Sequence, residues 1–243
     1  MKILALHAHP DDIEILAGGT LALLRQQGHS VVMASMTPGD CGSADKPASE
    51  IARIRRAEAM ASAALIGAEY QCLEFRDMTI FSDDESRRRV VEFLRIARPD
   101  VVLTASPRDY LCDHEATSAL VRDACFAAPI PNYETGTAPI ERIPHLYFMD
   151  PIEEAIMPSI WVDITTVFGT KREMLAKHES QRNWLRKQHG MDNYLDEMER
   201  WTRSRGLLAG CEFAEGFRQY TTHPFPRSAG FRLPEAQVIS ERK

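Results

Sequence analysis

Short aliphatic and β-branched runs alternate with amphipathic rows along the first half of the chain. Residues 2–8, 30–37, 70–75 and 100–106 are apolar runs of strand length. Residues 13–27, 50–65, 83–98 and 113–128 carry apolar positions at helical spacing. Gly28 and Gly67 close the first two of these helices, and Pro99 and Pro129 follow the other two. The order β-α-β-α-β-α-β-α predicts an α/β fold, a Rossmann-like doubly wound sheet that is mostly parallel, with helices on both faces.

The second half is less regular. Residues 129–144 hold four prolines and read as a loop. Strands are expected at 145–150 and 160–165, and helices at 168–189 and 192–205. The stretch "CEFAEGF" (211–217) reads as a last strand or as a loop returning to a site. The tail after about residue 224 reads as loop, and with no repeat or linker the chain reads as one domain over 1–243.

A length of 243 residues is enough for one well-buried core. The composition is 44% hydrophobic and 26% charged, which argues against disorder except at the ends. A net charge of −6 argues against nucleic acid as the main partner, because phosphate binding asks for a basic face. No apolar run reaches the roughly 18 residues of a membrane span. The apolar part of the N-terminus is too short for a signal peptide, so a cytoplasmic location is the expectation. The five cysteines are odd in number and form no CxxC pair, as expected of free thiols in a reducing compartment.

Candidate chemistry gathers where two strands end. "HAHPDD" (7–12) crowds two histidines and two aspartates past the first strand. Doubly wound sheets bind ligands at the carboxyl ends of their strands, so the position suits a site. No GxGxxG follows the first strand, which speaks against a dinucleotide; Gly18 and Gly19 come too late, inside the helix. His and Asp together suit a borderline divalent ion, and three protein ligands plus water is the catalytic pattern. The opening stretch can give two of the three. The third is expected past another strand end, and His114, beside Asp113 after the fourth strand, is the natural choice. Either segment alone could simply be an aspartate capping a helix; their joint placement on one parallel sheet favours the metal.

In order along the chain, these motifs resemble the LmbE/PIG-L-like deacetylases. The resemblance rests on "AHPDD" with the downstream "DH", on "TPGD" (37–40) and "RRAEAMASAALIGA" (55–68), and on "VDIT…KREMLAKHESQ" (162–181) and "CEFAEGF", about residues 2–218 in all. It implies a zinc-dependent hydrolase that removes an N-acetyl group from a small amino-sugar derivative. By position it implies His9, Asp12 and His114 as metal ligands and Asp11 as general base, with His7 outside the pattern and packed. Iron(II) is the other metal that two histidines and a carboxylate suit. It implies a homo-oligomer, trimeric or hexameric. The second motif departs from the usual H-x-D-H: its first position is Leu111, which can neither donate a proton nor stabilise a transition state. Asp113, which would orient that histidine, has an open role. Tyr110, His145, His178 and His223 are the candidate replacements, Tyr110 being closest in sequence.

The mechanism expected is metal-assisted amide hydrolysis. Asp11 takes the proton of the attacking water and can pass it to the leaving amine. Consecutive side chains in a turn point different ways, so Asp12 can face the ion while Asp11 faces the water. Arg55 is expected to reach substrate or to pair with Glu58, Asp40 to lie near the site or form a turn, and His178 to line the site or fix its loops. An amidase acting on a larger conjugate and a non-catalytic metal- or sugar-binding relative are the alternatives.

Overall fold

The computed structural model describes residues 1–152, 157–227 and Leu233. Seven strands form one sheet in the order β3-β2-β1-β4-β5-β7-β6. They are β1 (Lys2–His7), β2 (Ser30–Ser35), β3 (Glu69–Cys72), β4 (Val101–Thr104), β5 (His145–Met149), β6 (Ile160–Asp163) and β7 (Ala214–Tyr220). The helices are α1 (Asp12–Gln26), α2 (Ala48–Leu65), α3 (Asp84–Ala97), α4 (Cys112–Ala127), α5 (Phe168–Ala176), α6 (Glu179–His189) and α7 (Tyr194–Ala209). β1 to β5 pair in parallel, and β7 runs antiparallel to both β5 and β6.

Side-chain alternation along β1 divides the core. Ile3 and Ala5 face a layer that includes α1, α5 and α7, whereas Leu4 and Leu6 face α3 and α4. Crossovers therefore leave β1 and β4 on opposite faces, with α1 on one and α4 on the other. The crevice where the strand order reverses opens past their carboxyl ends, the usual ligand position in such a sheet.

Two expected elements end elsewhere. β3 stops at Cys72, because Glu74 takes a left-handed conformation (φ 57°) that no strand can continue. The helix expected over 168–189 breaks at His178, whose non-helical backbone (ψ 56°) turns its ring toward Glu14. The last strand is present as β7. Most of the expected tail loop lies outside the described residues; residues 221–227 carry no strand or helix.

The late motifs clamp α1. Lys171 of α5 and Glu215 of β7 form a buried ion pair at 2.5 Å. Glu215 accepts the N–H groups of Gly19 and Thr20 at 2.9 and 2.7 Å, and Lys171 donates to the Ile15 carbonyl at 2.7 Å. Because each charge is paired and also bonded to backbone, the pair can be held in the core without leaving a bare ion. This close approach is open only to glycine at position 19: a Cβ there would lie 2.6 Å from Ile164 Cδ1 and 2.8 Å from its Cβ. Gly19→Ala is therefore expected to lower stability by about 1–3 kcal/mol through overpacking, read as a lower Tm in thermal denaturation; an unchanged or raised Tm would contradict the packing argument.

Candidate metal centre and catalytic pocket

The loop after β1 folds back on itself through two aspartates. Asp11 precedes α1 in a left-handed conformation, φ 97°, which aspartate tolerates better than most residues. Its side chain makes no cap to the helix and turns inward. There one oxygen accepts from Arg55 Nη2 at 3.2 Å and the other from the Tyr194 hydroxyl. Burial pushes the Asp11 pKa above the ordinary carboxylate value, against the pull of the Arg55 charge.

Asp12 opens α1 and gathers the histidines. Its Oδ2 accepts the His9 N–H at 2.8 Å and lies 2.7 Å from His7 Nδ1, 3.4 Å from His9 Nδ1 and 3.4 Å from His114 Nε2. Burial disfavours its charge, yet His114 and His7 hold its pKa well below the ordinary value.

Two further carboxylates fix the rings. Asp109 Oδ1 is 2.9 Å from His114 Nδ1, which leaves Nε2, an atom with no hydrogen-bond partner, facing Asp12. Asp113 Oδ2 is 3.3 Å from His9 Nε2 and also accepts the Met78 N–H at 2.7 Å, which leaves His9 Nδ1 facing Asp12. Burial lowers the tendency of both rings to protonate, but the carboxylates outweigh it, raising His9 to about 9 and His114 to about 10. So much negative charge around two imidazoles is a site that calls for a cation.

Two edges of the expected donor set fit a divalent ion. With metal–ligand bonds of about 2.1 Å, the edge of a tetrahedral site is about 3.4 Å. That is the spacing of Asp12 Oδ2 from both His9 Nδ1 and His114 Nε2. The trio whose ligand-type atoms all lie within 4.8 Å of one another is His7, Asp12 and His114, with His7 in the place expected of His9. The 2.7 Å from His7 Nδ1 to Asp12 is, however, the length of a hydrogen bond and short for two ligands of one ion.

Several expectations need correction. Arg55 does not pair with Glu58: it is buried, donating to the Pro10 carbonyl at 2.7 Å as well as to Asp11, while Glu58 accepts from Ser180. His178 is 1% exposed with Nε2 2.9 Å from Glu14 Oε1, so it packs beneath α1 instead of lining an opening. Asp40 does lie near the site, its Oδ1 accepting at 2.9 Å the N–H of Asp77, whose own Oδ1 is 3.9 Å from His9 Nε2. Asp113 orients His9, not a group at position 111. Of the four candidates for the absent imidazole's role, Tyr110 stands at the site, its ring edge-on to His114 with centroids 5.4 Å apart. His145 begins β5 and His223 follows the antiparallel β7, so both lie at the amino-terminal end of the parallel strands, away from the site.

Three participants were not foreseen. Asp109 and Asp77 sit in the loops after β4 and β3, and Asp77 Oδ1 lies buried 3.9 Å from His9 Nε2. An aspartate five residues before a candidate ligand is a usable signal for the first. Tyr194 stands 183 residues from the carboxylate it bonds, and no local pattern marks it.

A doubly wound α/β chain with a His/Asp cluster at its switch point is the class that fold and site define. Residues 4–125 match the family described as GlcNAc-PI de-N-acetylase (PIG-L). The chain is 31% identical over 227 residues to a diacetylchitobiose deacetylase of Thermococcus kodakarensis, covering 89% of this chain and 82% of the relative. It is 28% identical over 179 residues to a 4-oxalmesaconate hydratase of Pseudomonas putida, covering 69% of each. Among solved structures, an N,N'-diacetylchitobiose deacetylase from Pyrococcus horikoshii superposes with a TM-score of 0.79 at 27% identity, over 93% of this chain and 87% of the other. The chain belongs to the PIG-L deacetylase family.

Proposed function

We propose that the protein is a divalent-metal amide hydrolase that removes an N-acyl group from an amino-sugar derivative, with His9, Asp12 and His114 holding the ion and Asp11 as general base. The observation that carries the reading is the pair of imidazoles, each fixed by its own carboxylate, whose remaining nitrogens stand 3.4 Å from one Asp12 oxygen. Carboxylate–histidine pairs of this kind set ring tautomer and orientation at metal sites. Zinc suits the set, and iron(II) is the second choice. When bound, such an ion supplies Lewis acidity, acidifying a water and polarising a carbonyl oxygen.

The chain's own residues do the rest. His7 holds Asp12 by a hydrogen bond, Asp113 holds His9, and Asp109 holds His114. The Tyr194 hydroxyl and Arg55 aim the Asp11 carboxylate, which receives the water's proton and carries it to the departing amine. The Tyr110 hydroxyl takes the role of meeting the developing oxyanion, a reading supported by its ring lying edge-on to His114. A sugar substrate is supported by the relatives, which include the diacetylchitobiose deacetylase and a 1D-myo-inositol 2-acetamido-2-deoxy-alpha-D-glucopyranoside deacetylase from Rhodococcus erythropolis.

The hydratase relative offers a second reading, in which water adds to a carbon–carbon double bond of a carboxylate substrate. The electrostatics favour the first. Asp11, Asp12, Asp77, Asp109 and Asp113 converge on the pocket, and Arg55, the buried cation among them, is already held by Asp11 and the Pro10 carbonyl. A neutral N-acyl sugar enters such a pocket more readily than a polycarboxylate. The test is acetate release from diacetylchitobiose and N-acetylglucosamine by metal-loaded protein, with metal content measured alongside. Release that is lost on chelation and restored by zinc is expected. Metal-loaded protein that frees no acid from any N-acyl sugar would overturn the reading.

A further inference from the structure

Two largely apolar side chains stand exposed on the loops that carry this site. Met78, after β3, is 56% exposed, and its backbone is left-handed, φ 62°. A methionine has no preference of its own for that conformation. Its N–H is held by the Asp113 oxygen that also meets His9. Tyr110, after β4, is 61% exposed with its ring against that of His114. Leu111 follows, partly exposed, where the family resemblance has a histidine. One carboxylate-fixed imidazole thus has an exposed aryl ring against it, and the carboxylate that fixes the other also anchors the backbone of an exposed thioether residue.

Resting on the amide-hydrolase reading, we infer that Met78, Tyr110 and Leu111 seat the acyl group of the substrate, and that this group is an apolar chain longer than acetyl. The acyl carbon is the atom attacked, so the chain it bears lies next to the residues fixed to the ligand histidines; the far hydroxyls of the sugar do not. An acetyl methyl is too small to cover three side chains of this size. A chain of four to six carbons covers them and removes its own apolar area from water as well.

The experiment measures kcat/KM of the zinc-loaded protein on N-acetyl-, N-butyryl- and N-hexanoyl-glucosamine, then repeats it with Met78→Asn and Tyr110→Ser. Asparagine keeps the left-handed backbone at 78 accessible. The ratio between substrates is read, because the Tyr110 hydroxyl also bears on the absolute rate. In the wild type kcat/KM is expected to rise about two- to fourfold per added methylene, the upper figure being full burial. In both variants the hexanoyl-to-acetyl ratio is expected to fall toward one. The same order is expected in Kd, measured by calorimetry with the Asp11→Asn protein. A flat or falling series in an enzyme that turns over all three overturns the acyl seat and leaves amide hydrolysis standing. A preference for long chains that survives both substitutions overturns the assignment to these side chains. No turnover of any of the three by metal-loaded protein overturns both readings.

Discussion

Asp11→Asn is expected to lower kcat by about 10²–10⁴-fold, the usual contribution of a general base, while zinc content stays at the wild-type value. The two halves of that expectation come from different contacts. Asp11 bonds to Arg55 and Tyr194, whereas the oxygen that meets His7, His9 and His114 belongs to Asp12. Replacing Asp11 therefore removes a proton acceptor without touching the ligand set. Asparagine is the right substitute because it tolerates the left-handed backbone at this position and keeps a side-chain oxygen for one of the two donors. Arg55 retains its bond to the Pro10 carbonyl, which limits the destabilisation to that of one lost charge pair. The loss of rate should lie toward the upper end of the range, because Leu111 has no proton to give the leaving amine and Asp11 must both take and return it. Steady-state kinetics with metal analysis on the same preparation checks the result. Near-normal kcat would remove Asp11 from the base role, and a zinc-free variant would mean that the turn, not the carboxylate, is what the substitution disturbed.

The doubly wound parallel sheet was readable because strand-length apolar runs and helical rows alternate without ambiguity over residues 2–128. The residues that cluster there are readable for the same reason: in a parallel sheet, strand ends converge, so "HAHPDD" and "DH" could be placed together before any coordinate was known. What sequence does not carry is the direction a side chain takes once buried. Arg55 and His178 are chemically suited to substrate, and both are consumed inside, one by Asp11 and one by Glu14. Lys171 and Glu215, part of the same late motifs, hold the backbone of α1 instead of lining the pocket. The late motifs are thus the support of the helix that presents Asp11 and Asp12, a role visible only once the sheet has brought α5 and β7 under α1. Tyr194 is the extreme case, since its partner lies 183 residues away and a tyrosine opening a helix has no distinctive pattern.

Removing His9 and removing His7 should have different consequences, and the difference tests which trio holds the ion. His9→Ala is expected to abolish stoichiometric zinc binding, because Nδ1 is the atom left free by Asp113 and stands at ligand spacing from Asp12. His7→Ala is expected to weaken zinc by about 10–100-fold without abolishing it, the usual cost of losing a group that orients a ligand from behind. The asymmetry follows from two distances. At 2.7 Å, His7 Nδ1 and Asp12 Oδ2 stand at hydrogen-bond distance; at 3.4 Å, His9 Nδ1 and the same oxygen leave room for an ion between them. Asp12 would be better aimed and held ionised by the His7 bond, so zinc competition against chelators of graded affinity should resolve a shifted but saturable site in His7→Ala and none in His9→Ala. Circular dichroism on each variant separates loss of the site from loss of the fold, since His7 is fully buried. If His7→Ala is the protein without zinc and His9→Ala binds it normally, the ion belongs to His7, Asp12 and His114, and His9 with Asp113 becomes the proton-carrying pair beside it.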